Sequence, residues 1–307
     1  MYFDLDRDAV ARANVDGFLD SLGMSFDQLS QEIPSEPDDL VLVTGSVAEG
    51  LGTPVSDIDL LVVGVQRRAG ALHLPQDGNQ EIVYRLSNGI ELNIAYLETA
   101  GVRALEATLR TVAENIASPA AQAVAPLDGS ALLMAHRLRT GAPLRGDVAQ
   151  LREQLRLEVL PDYMLIRSRF EHFVYREDAL GQLQVGHPDS ARYMMSFAFH
   201  HVASVALGGL GETNPDPKWR LRLLQRNRDR LGGLLSDQLC DYLLGYTPLS
   251  IEGDFERAFE ICDQVIHDAV RRRSHLADLI VQLDEGMKFV VYKATEAPTT
   301  PTAALPR

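Results

Sequence analysis

The sequence has few of the residues that mark disulfide-rich, zinc-binding or membrane proteins. Its 307 residues include two cysteines, Cys240 and Cys262, and no cysteine and histidine spacing typical of a zinc site. We therefore predict reduced thiols in the core of a cytoplasmic protein rather than a disulfide framework. No apolar run approaches the roughly 18 residues that a membrane helix needs, which predicts no contact with a membrane. The first residues are acidic and do not resemble a secretory signal.

Basic side chains are scarce in the first half of the chain. The formal net charge is −14, and residues 1–140 carry 20 acidic and 9 basic side chains against 23 and 20 in the remainder. A nucleic-acid substrate normally requires a basic patch, so this balance argues against DNA or tRNA as a partner. It favours a small acceptor molecule, and a cationic one would be attracted most strongly.

The most informative stretch is VTGSVAEGLGTPVSDIDLLVV, residues 43–63. An apolar strand leads into the small turn Gly45-Ser46, and a second apolar strand begins with Asp57 and Asp59. Two carboxylates separated by one residue on a strand point to the same face, where their charges repel. A hard cation such as Mg²⁺ between them removes that conflict. The glycine turn at a helix start suits a phosphate, because backbone N–H groups can approach it closely.

Gly45-Ser46, ten intervening residues and Asp57-Ile58-Asp59 together resemble the signature of the DNA polymerase β-like nucleotidyltransferase superfamily, and in particular its antibiotic-modifying members. The resemblance implies a third carboxylate on a later strand, for which Glu91 in IELNIAYL is the candidate. It also implies that Asp57, Asp59 and Glu91 are catalytic and hold two Mg²⁺ ions, with ATP as co-substrate. Gly45 and Ser46 would then bind its terminal phosphates.

The hydrophobic pattern predicts strands followed by a long run of helices. Together with the resemblance it implies an α/β fold, in which a small mixed-sheet nucleotidyltransferase domain is followed by an all-helical C-terminal domain. The predicted strands cover residues 40–44, 57–65, 81–86 and 90–98, the last two joined by an Asn88-Gly89 hairpin turn. An amphipathic helix is predicted over 4–30, and further helices over 148–159, 163–176, 190–206, 218–231, 234–244 and 255–274.

The predicted domains are residues 1–142 for nucleotidyl transfer and residues 147–290 for contacts to substrate and nucleotide. The segment GAPLRG, residues 141–146, is interpreted as the linker between them. Residues 296–307 are rich in proline, threonine and alanine and are predicted to be a disordered tail.

Three further residues bear on the site. Lys218 is one of only three lysines and follows Asn-Pro-Asp-Pro at a helix start. Related aminoglycoside enzymes have a lysine in their helical domain that reaches the triphosphate, so Lys218 is a candidate nucleotide ligand, as is Arg192 near the start of an apolar helix. Glu49 lies where many superfamily members have an arginine, and it would repel a triphosphate unless it faces away.

The sequence leaves the acceptor open. The first hypothesis is transfer of AMP from ATP to a hydroxyl of a small molecule such as an aminoglycoside. The alternative is a protein AMP transferase of the antitoxin type, although the long helical half counts against it. A non-catalytic copy of the fold is a third reading, and the oligomeric state is not determined.

Overall fold

The computed structural model describes residues 7–33, 35, 39–64, 79–86, 89–118, 126–249 and 252–285. We call residues 7–145 the sheet half and residues 149–285 the helical half. The elements of the sheet half are α1 (Arg7–Ser21), α2 (Phe26–Glu32), β1 (Leu40–Thr44), α3 (Gly45–Ala48), β2 (Ile58–Val63), β3 (Asn79–Arg85), β4 (Glu91–Leu97), α4 (Thr99–Ala117), α5 (Gly129–Thr140) and β5 (Ala142–Arg145).

The helical half contains seven labelled α-helices and three short 3₁₀ helices. The α-helices are α6 (Ala149–Gln154), α7 (Leu160–Gln184), α8 (Pro188–Gly209), α9 (Arg220–Arg226), α10 (Arg228–Leu231), α11 (Gly233–Leu243) and α12 (Glu252–Arg272). The 3₁₀ helices are Leu157–Val159, Pro217–Trp219 and Ser274–Leu276, and the last is followed by helical residues 277–285.

The five strands form one mixed sheet in the order β3-β4-β2-β1-β5. Strands β2 and β4 are parallel, and every other neighbouring pair is antiparallel. Apolar side chains alternate between two buried faces. Leu42 and Leu61 face the α4 and α5 side, whereas Val43 and Leu60 face the α1 and α2 side. The predicted fold class, a mixed sheet followed by a mostly helical remainder, is confirmed.

Two local predictions in the sheet half are wrong. Residues 4–30 were predicted as one helix, but within the described residues α1 and α2 are separate. Gly23 has a left-handed φ of +68°, and Ser25 caps α2 through Gln28.

The segment 141–146 is not a linker, since four of its residues form β5, which pairs with β1 at the sheet edge. Proline is tolerated there because an edge strand leaves one side unpaired.

The predicted hairpin joins β3 to β4, with the Leu86 N–H donating to the Ile90 carbonyl at 2.8 Å. Gly89 has the positive φ that such a turn requires, at +89°. Asn88 lies outside the described residues, as do residues 286–290 of the predicted helical domain and the predicted tail.

The helical half is organised around the antiparallel pair α7 and α8. Gly208 permits their close approach, because a Cβ there would lie 3.1 Å from the Leu165 backbone nitrogen. Cys240 and Cys262 are both free and buried in this core, as predicted. Each predicted helix of this half overlaps an observed one. Within the described ranges, no helix combines the length and the apolar character that a bilayer crossing requires.

Buried His172 on α7 predicts a loss of stability in mild acid. Burial, the largest influence, lowers its pKa to about 4, although its Nδ1 donates to the Ala198 carbonyl at 3.4 Å. The unfolded chain, with an ordinary histidine pKa, therefore binds the proton first as the pH falls. Between about pH 7.5 and pH 5 this single group should reduce the free energy of unfolding by about 2 kcal/mol.

Urea unfolding at the two pH values measures this effect. His172→Gln should remove about 2 kcal/mol of the pH dependence, because the buried titrating group is gone. The matched control is His187→Gln, since the His187 side chain is exposed. An unchanged pH dependence in His172→Gln would show that His172 is not held neutral by the fold.

Candidate active site

The turn after β1 brings backbone and carboxylate into close contact. Gly45 begins the short helix α3 with a φ of +67°. A Cβ at this position would lie 2.1 Å from Oδ2 of Asp59, so only glycine fits. Ser46 follows, and its carbonyl accepts a hydrogen bond from the Leu51 N–H at 2.8 Å. The first N–H groups of a helix have no partner within the helix, so this turn presents donors beside an acidic side chain.

The parallel pairing of β2 and β4 aligns the acidic residues. Asp59 lies opposite Asn93, and Ile58 opposite Leu92. Side chains alternate along each strand, so Asp59, Asn93 and Glu91 share one face of the sheet. Asp57, just before β2, extends the same edge. Glu91 can approach the other two carboxylates only if β2 and β4 are neighbouring strands. In the sheet they are neighbours.

Each carboxylate already has a protein partner. Oδ2 of Asp57 accepts a hydrogen bond from Nδ2 of Asn93 at 2.9 Å. Glu91 pairs with Arg85 across the hairpin, and Oδ1 of Asp59 lies 4.0 Å from Nη2 of Arg137. In this arrangement, no group of three or more histidine, cysteine or acidic side chains among the described residues is close enough to hold a metal ion.

The donor set nevertheless suits Mg²⁺. Its members are carboxylate oxygens, the ligands that hard divalent cations prefer, and they share one edge of the sheet. Arg85 holds Glu91 only weakly, since the side chains of Arg85 and Glu91 are 69% and 51% exposed, respectively. Exposed pairs contribute at most about 1 kcal/mol, which a metal ion readily exceeds. Asp57, Asp59 and Glu91 thus fit the ion that the resemblance implies, provided Glu91 leaves Arg85.

Two residues at this edge were missed by the sequence reasoning. Asn93 binds Asp57, and Arg137 of α5 lies beside Asp59. Asn93 could have been found, since it lies two residues after Glu91 on the same strand and so on the same face. Arg137 could not, because only the packing of α5 against β1 brings it to this edge.

The helical half reaches the same region through the 3₁₀ helix Pro217–Trp219 and α9. Lys218 lies at the helix start that the sequence predicted, with Nζ 3.0 Å from Oδ2 of Asp216. One turn later, Arg222 donates to the Leu51 carbonyl, and Arg226 donates to the Glu49 carbonyl at 2.6 Å. Lys218 therefore lies just before the helix that contacts the loop after the Gly45-Ser46 turn. Its contact with a nucleotide stays a prediction.

Arg192 is in a different part of the helical half. It lies in the first turns of α8, about 25 Å along that helix from Gly209, where the chain returns to the sheet half. Its guanidinium donates to the Leu249 carbonyl at 2.6 Å and to Asp189 at 2.8 Å. The contact of Arg192 with a nucleotide stays a prediction.

Glu49 faces away from the Gly45-Ser46 turn and into the contact between the two halves. Its carboxylate is 6% exposed, accepts Nε2–H of His136 at 3.0 Å, and accepts Nδ2–H of Asn214 at 2.9 Å. Nδ1 of His136 is in turn 3.0 Å from Thr213 Oγ1. Burial, the largest influence, would raise the pKa of Glu49, but His136 and Asn214, with help from Arg226, outweigh it and lower the pKa.

Comparisons with known proteins find one family model that covers these residues. Residues 26–102 match the family model of the nucleotidyltransferase domain, and that range includes Gly45, Ser46 and all three carboxylates. No curated protein matches the chain. A solved structure of a nucleotidyltransferase-like protein from Exiguobacterium sibiricum 255-15 aligns with 91% of this chain and 94% of that one, at 14% identity and a TM-score of 0.43. Residues 26–102 of the sheet half are thus similar to a nucleotidyltransferase domain, and the helical half lies outside this match.

Proposed function

We propose that the protein transfers AMP from ATP to a hydroxyl group of a small molecule in a Mg²⁺-dependent reaction. The observation that carries the proposal is the contact of the Gly45 backbone with the Asp59 carboxylate, at the edge where β2 and β4 run parallel. This edge combines backbone donors for phosphate with carboxylates for a cation. It also lies within the residues that match the nucleotidyltransferase domain.

The proposed site residues have separate roles in binding ATP and Mg²⁺. Gly45 and Ser46 bind the terminal phosphates of ATP through backbone N–H groups. Asp57, Asp59 and Glu91 would hold Mg²⁺, which when bound supplies charge for the phosphates and lowers the pKa of the acceptor hydroxyl. Lys218 and Arg137 supply further positive charge beside the leaving pyrophosphate.

The transfer exchanges one P–O bond for another. The acceptor oxygen attacks the α-phosphorus in line, and the bond from that phosphorus to the β-phosphate bridging oxygen breaks. Pyrophosphate leaves with the electron pair, and the hydroxyl proton passes to Glu91 as the general base. Glu91 suits this role because its side chain is about half exposed and therefore accessible to an acceptor.

The acceptor binds between the sheet half and the helical half, the usual place for a site formed by two packed units. The excess of acid in residues 1–140 favours a small hydroxylated molecule over a nucleic acid, as with an aminoglycoside. Transfer to a partner protein is the outcome to expect if small molecules are not modified.

Calorimetric titration of a non-hydrolysable ATP analogue with Mg²⁺ tests the nucleotide site. Wild-type protein should bind the analogue, and Gly45→Ala should weaken binding by about tenfold or more, because the new methyl group would displace the Asp59 carboxylate. The matched control is Gly186→Ala. Gly186 also has a positive φ, +79°, but a Cβ there meets nothing within 4 Å.

The control separates backbone strain from the contact with Asp59. Both substitutions force alanine into the left-handed region, which costs about 1 kcal/mol. Only Gly45→Ala also displaces a proposed metal ligand. Absence of analogue binding by the wild-type protein at millimolar concentration would refute the proposed function. Equal affinities of Gly45→Ala and Gly186→Ala would refute the phosphate role of the turn.

A further inference from the structure

Arg220, at the start of α9, is a partly buried cation without a counter-charge. Its buried Nε–H has no hydrogen-bond partner, and in the described part of the chain no carboxylate lies within ion-pairing distance. Burial lowers its pKa to about 10, and Asp216 acts on it only from a distance. Asp216 is itself paired with Lys218 at 3.0 Å.

Other partly buried arginines of the helical half do have partners. Arg222 donates to the Leu51 carbonyl. Arg169 and Arg176 also have an unpaired buried Nε–H, but each is paired with a carboxylate, Asp284 and Asp263 respectively. Burying a charge is costly unless it is paired and hydrogen-bonded. Arg220 therefore differs from its neighbours in a way that internal packing does not explain.

Two histidines of α8, His200 and His201, are close enough to Arg220 for its charge to act on both rings. Nδ1 of His200 is buried and has no partner, and the His201 ring stacks on Tyr175 with centroids 5.4 Å apart. Burial, followed by the charge of Arg220, lowers the pKa of both rings, that of His201 to about 4. The other groups that act on His201 are His172, His200 and Arg167, all basic. The cluster is thus rich in donors and has no acid within it.

We propose that Arg220, His200 and His201 form an oxyanion-binding site that holds a phosphate-like group of the acceptor molecule. An anion would supply the missing charge of Arg220 and hydrogen-bond to the imidazole nitrogens. The proposal rests on the proposed function and specifies its substrate. The acceptor carries an oxyanion as well as the hydroxyl that is modified, and is not purely cationic as the net charge alone suggested.

The position of the cluster fits an acceptor rather than the ATP phosphates. The charge of Arg220 acts on His200 and His201 of α8, whereas Arg222 and Arg226 of the same helix contact the loop after the Gly45-Ser46 turn. Positions two apart on a helix face nearly opposite directions, about 200° around the axis. The cluster and the nucleotide loop are therefore on different sides of α9. A ligand that contacts both must extend along the boundary between the halves.

Titration of inorganic phosphate, used as the probe, into protein saturated with Mg²⁺ and the ATP analogue tests the proposal. Wild-type protein should bind phosphate, and Arg220→Met should weaken that binding by about tenfold or more, with analogue affinity unchanged within about twofold. The control is Arg228→Met, because Arg228 lies on the surface of the next helix and is paired with Asp237 at 2.6 Å. The control should leave phosphate binding unchanged.

Thermal unfolding without ligands gives a second, independent readout. Arg220→Met should raise the unfolding temperature, because it removes an uncompensated charge and keeps a similar apolar volume. Phosphate should then stabilise the wild-type protein and not the variant. A lower unfolding temperature for Arg220→Met would mean that the arginine stabilises the fold by itself, and would overturn the proposal.

The remaining outcomes separate this proposal from the proposed function. If Arg220→Met weakens binding of the ATP analogue as much as binding of phosphate, the cluster binds the nucleotide, and the acceptor assignment is overturned. Absence of phosphate binding to analogue-saturated wild-type protein would overturn it as well. If the protein binds phosphate through Arg220 but does not bind the analogue, the oxyanion site stands and the proposed nucleotidyl transfer fails.

Discussion

Asp59→Asn is expected to lower the rate of nucleotidyl transfer by about a thousandfold or more and to leave the fold intact. Asparagine preserves the shape that packs against Gly45 but removes the charge that would hold the metal ion. Loss of that charge also relieves repulsion from Asp57 on the same edge, so no loss of stability is expected. Pyrophosphate release with saturating ATP and Mg²⁺ measures the rate, and urea unfolding checks the fold.

The control for this substitution is Asp229→Asn, which removes the same charge from a side chain that is 99% exposed. It should leave the transfer rate unchanged. Asp57→Asn should reproduce the loss, even though Asn93 can still hydrogen-bond to the new amide oxygen. A rate for Asp59→Asn within about tenfold of the wild-type rate would refute the assignment of Asp59 as a metal ligand.

The strands of the sheet could be read from the sequence because each has a simple apolar pattern. The predicted bounds of β1, Leu40–Thr44, are the observed ones, and the predicted bounds of β2 differ from the observed ones by a few residues. Strand β5 could not be read this way. Its four residues, Ala142–Arg145, lie between two glycines and include a proline, a composition that indicates a loop. Pairing with β1, supported by the bonds from Arg152 to the Leu138 and Gly141 carbonyls, overrides that preference.

The residue pattern by itself indicated the candidate site only where its residues are close in sequence, and Glu91 was named from the family resemblance. The Gly45-Ser46 turn and the two aspartates follow one another within a single β-turn-β unit. Glu91 required the parallel pairing of β2 and β4, which no local pattern specifies. Arg137 reaches Asp59 through helix packing, and the lack of a partner for Arg220 is a property of the folded environment alone. These contacts join residues that are tens of positions apart, so a single sequence does not indicate them.

Glu49 shows how the two halves are held in one relative position. The sequence indicated only that an acid at this position was unusual. In the structure its carboxylate accepts hydrogen bonds from His136 of the sheet half and Asn214 of the helical half. Its carbonyl accepts from Arg226, and Arg139 donates to the Gly211 carbonyl at 3.2 Å nearby. The Gly45-Ser46 turn, four residues away, is thus anchored to the helices that carry Lys218 and Arg220.

Glu49→Ala should therefore lower the free energy of unfolding by about 3 kcal/mol, because it leaves two buried hydrogen-bond donors without an acceptor. Transfer activity should also fall, since the α9 element is no longer held against the nucleotide loop. Urea unfolding near neutral pH measures the first effect. The matched control is Glu158→Ala, because that side chain is 62% exposed and its pairing with Arg156 is a surface contact at 3.7 Å.

A double-mutant cycle with Asn214→Ala separates the interaction across the two halves from the loss of each side chain. The coupling free energy between Glu49 and Asn214 should be about 1 kcal/mol or more, since the pair is buried and the acceptor is charged. Additive effects of the two substitutions would mean that the contact contributes nothing to holding the halves together. A cost for Glu49→Ala no greater than that of Glu158→Ala would lead to the same conclusion, and the contact of α9 with the loop after the turn would then depend on the apolar contacts around Leu51 instead.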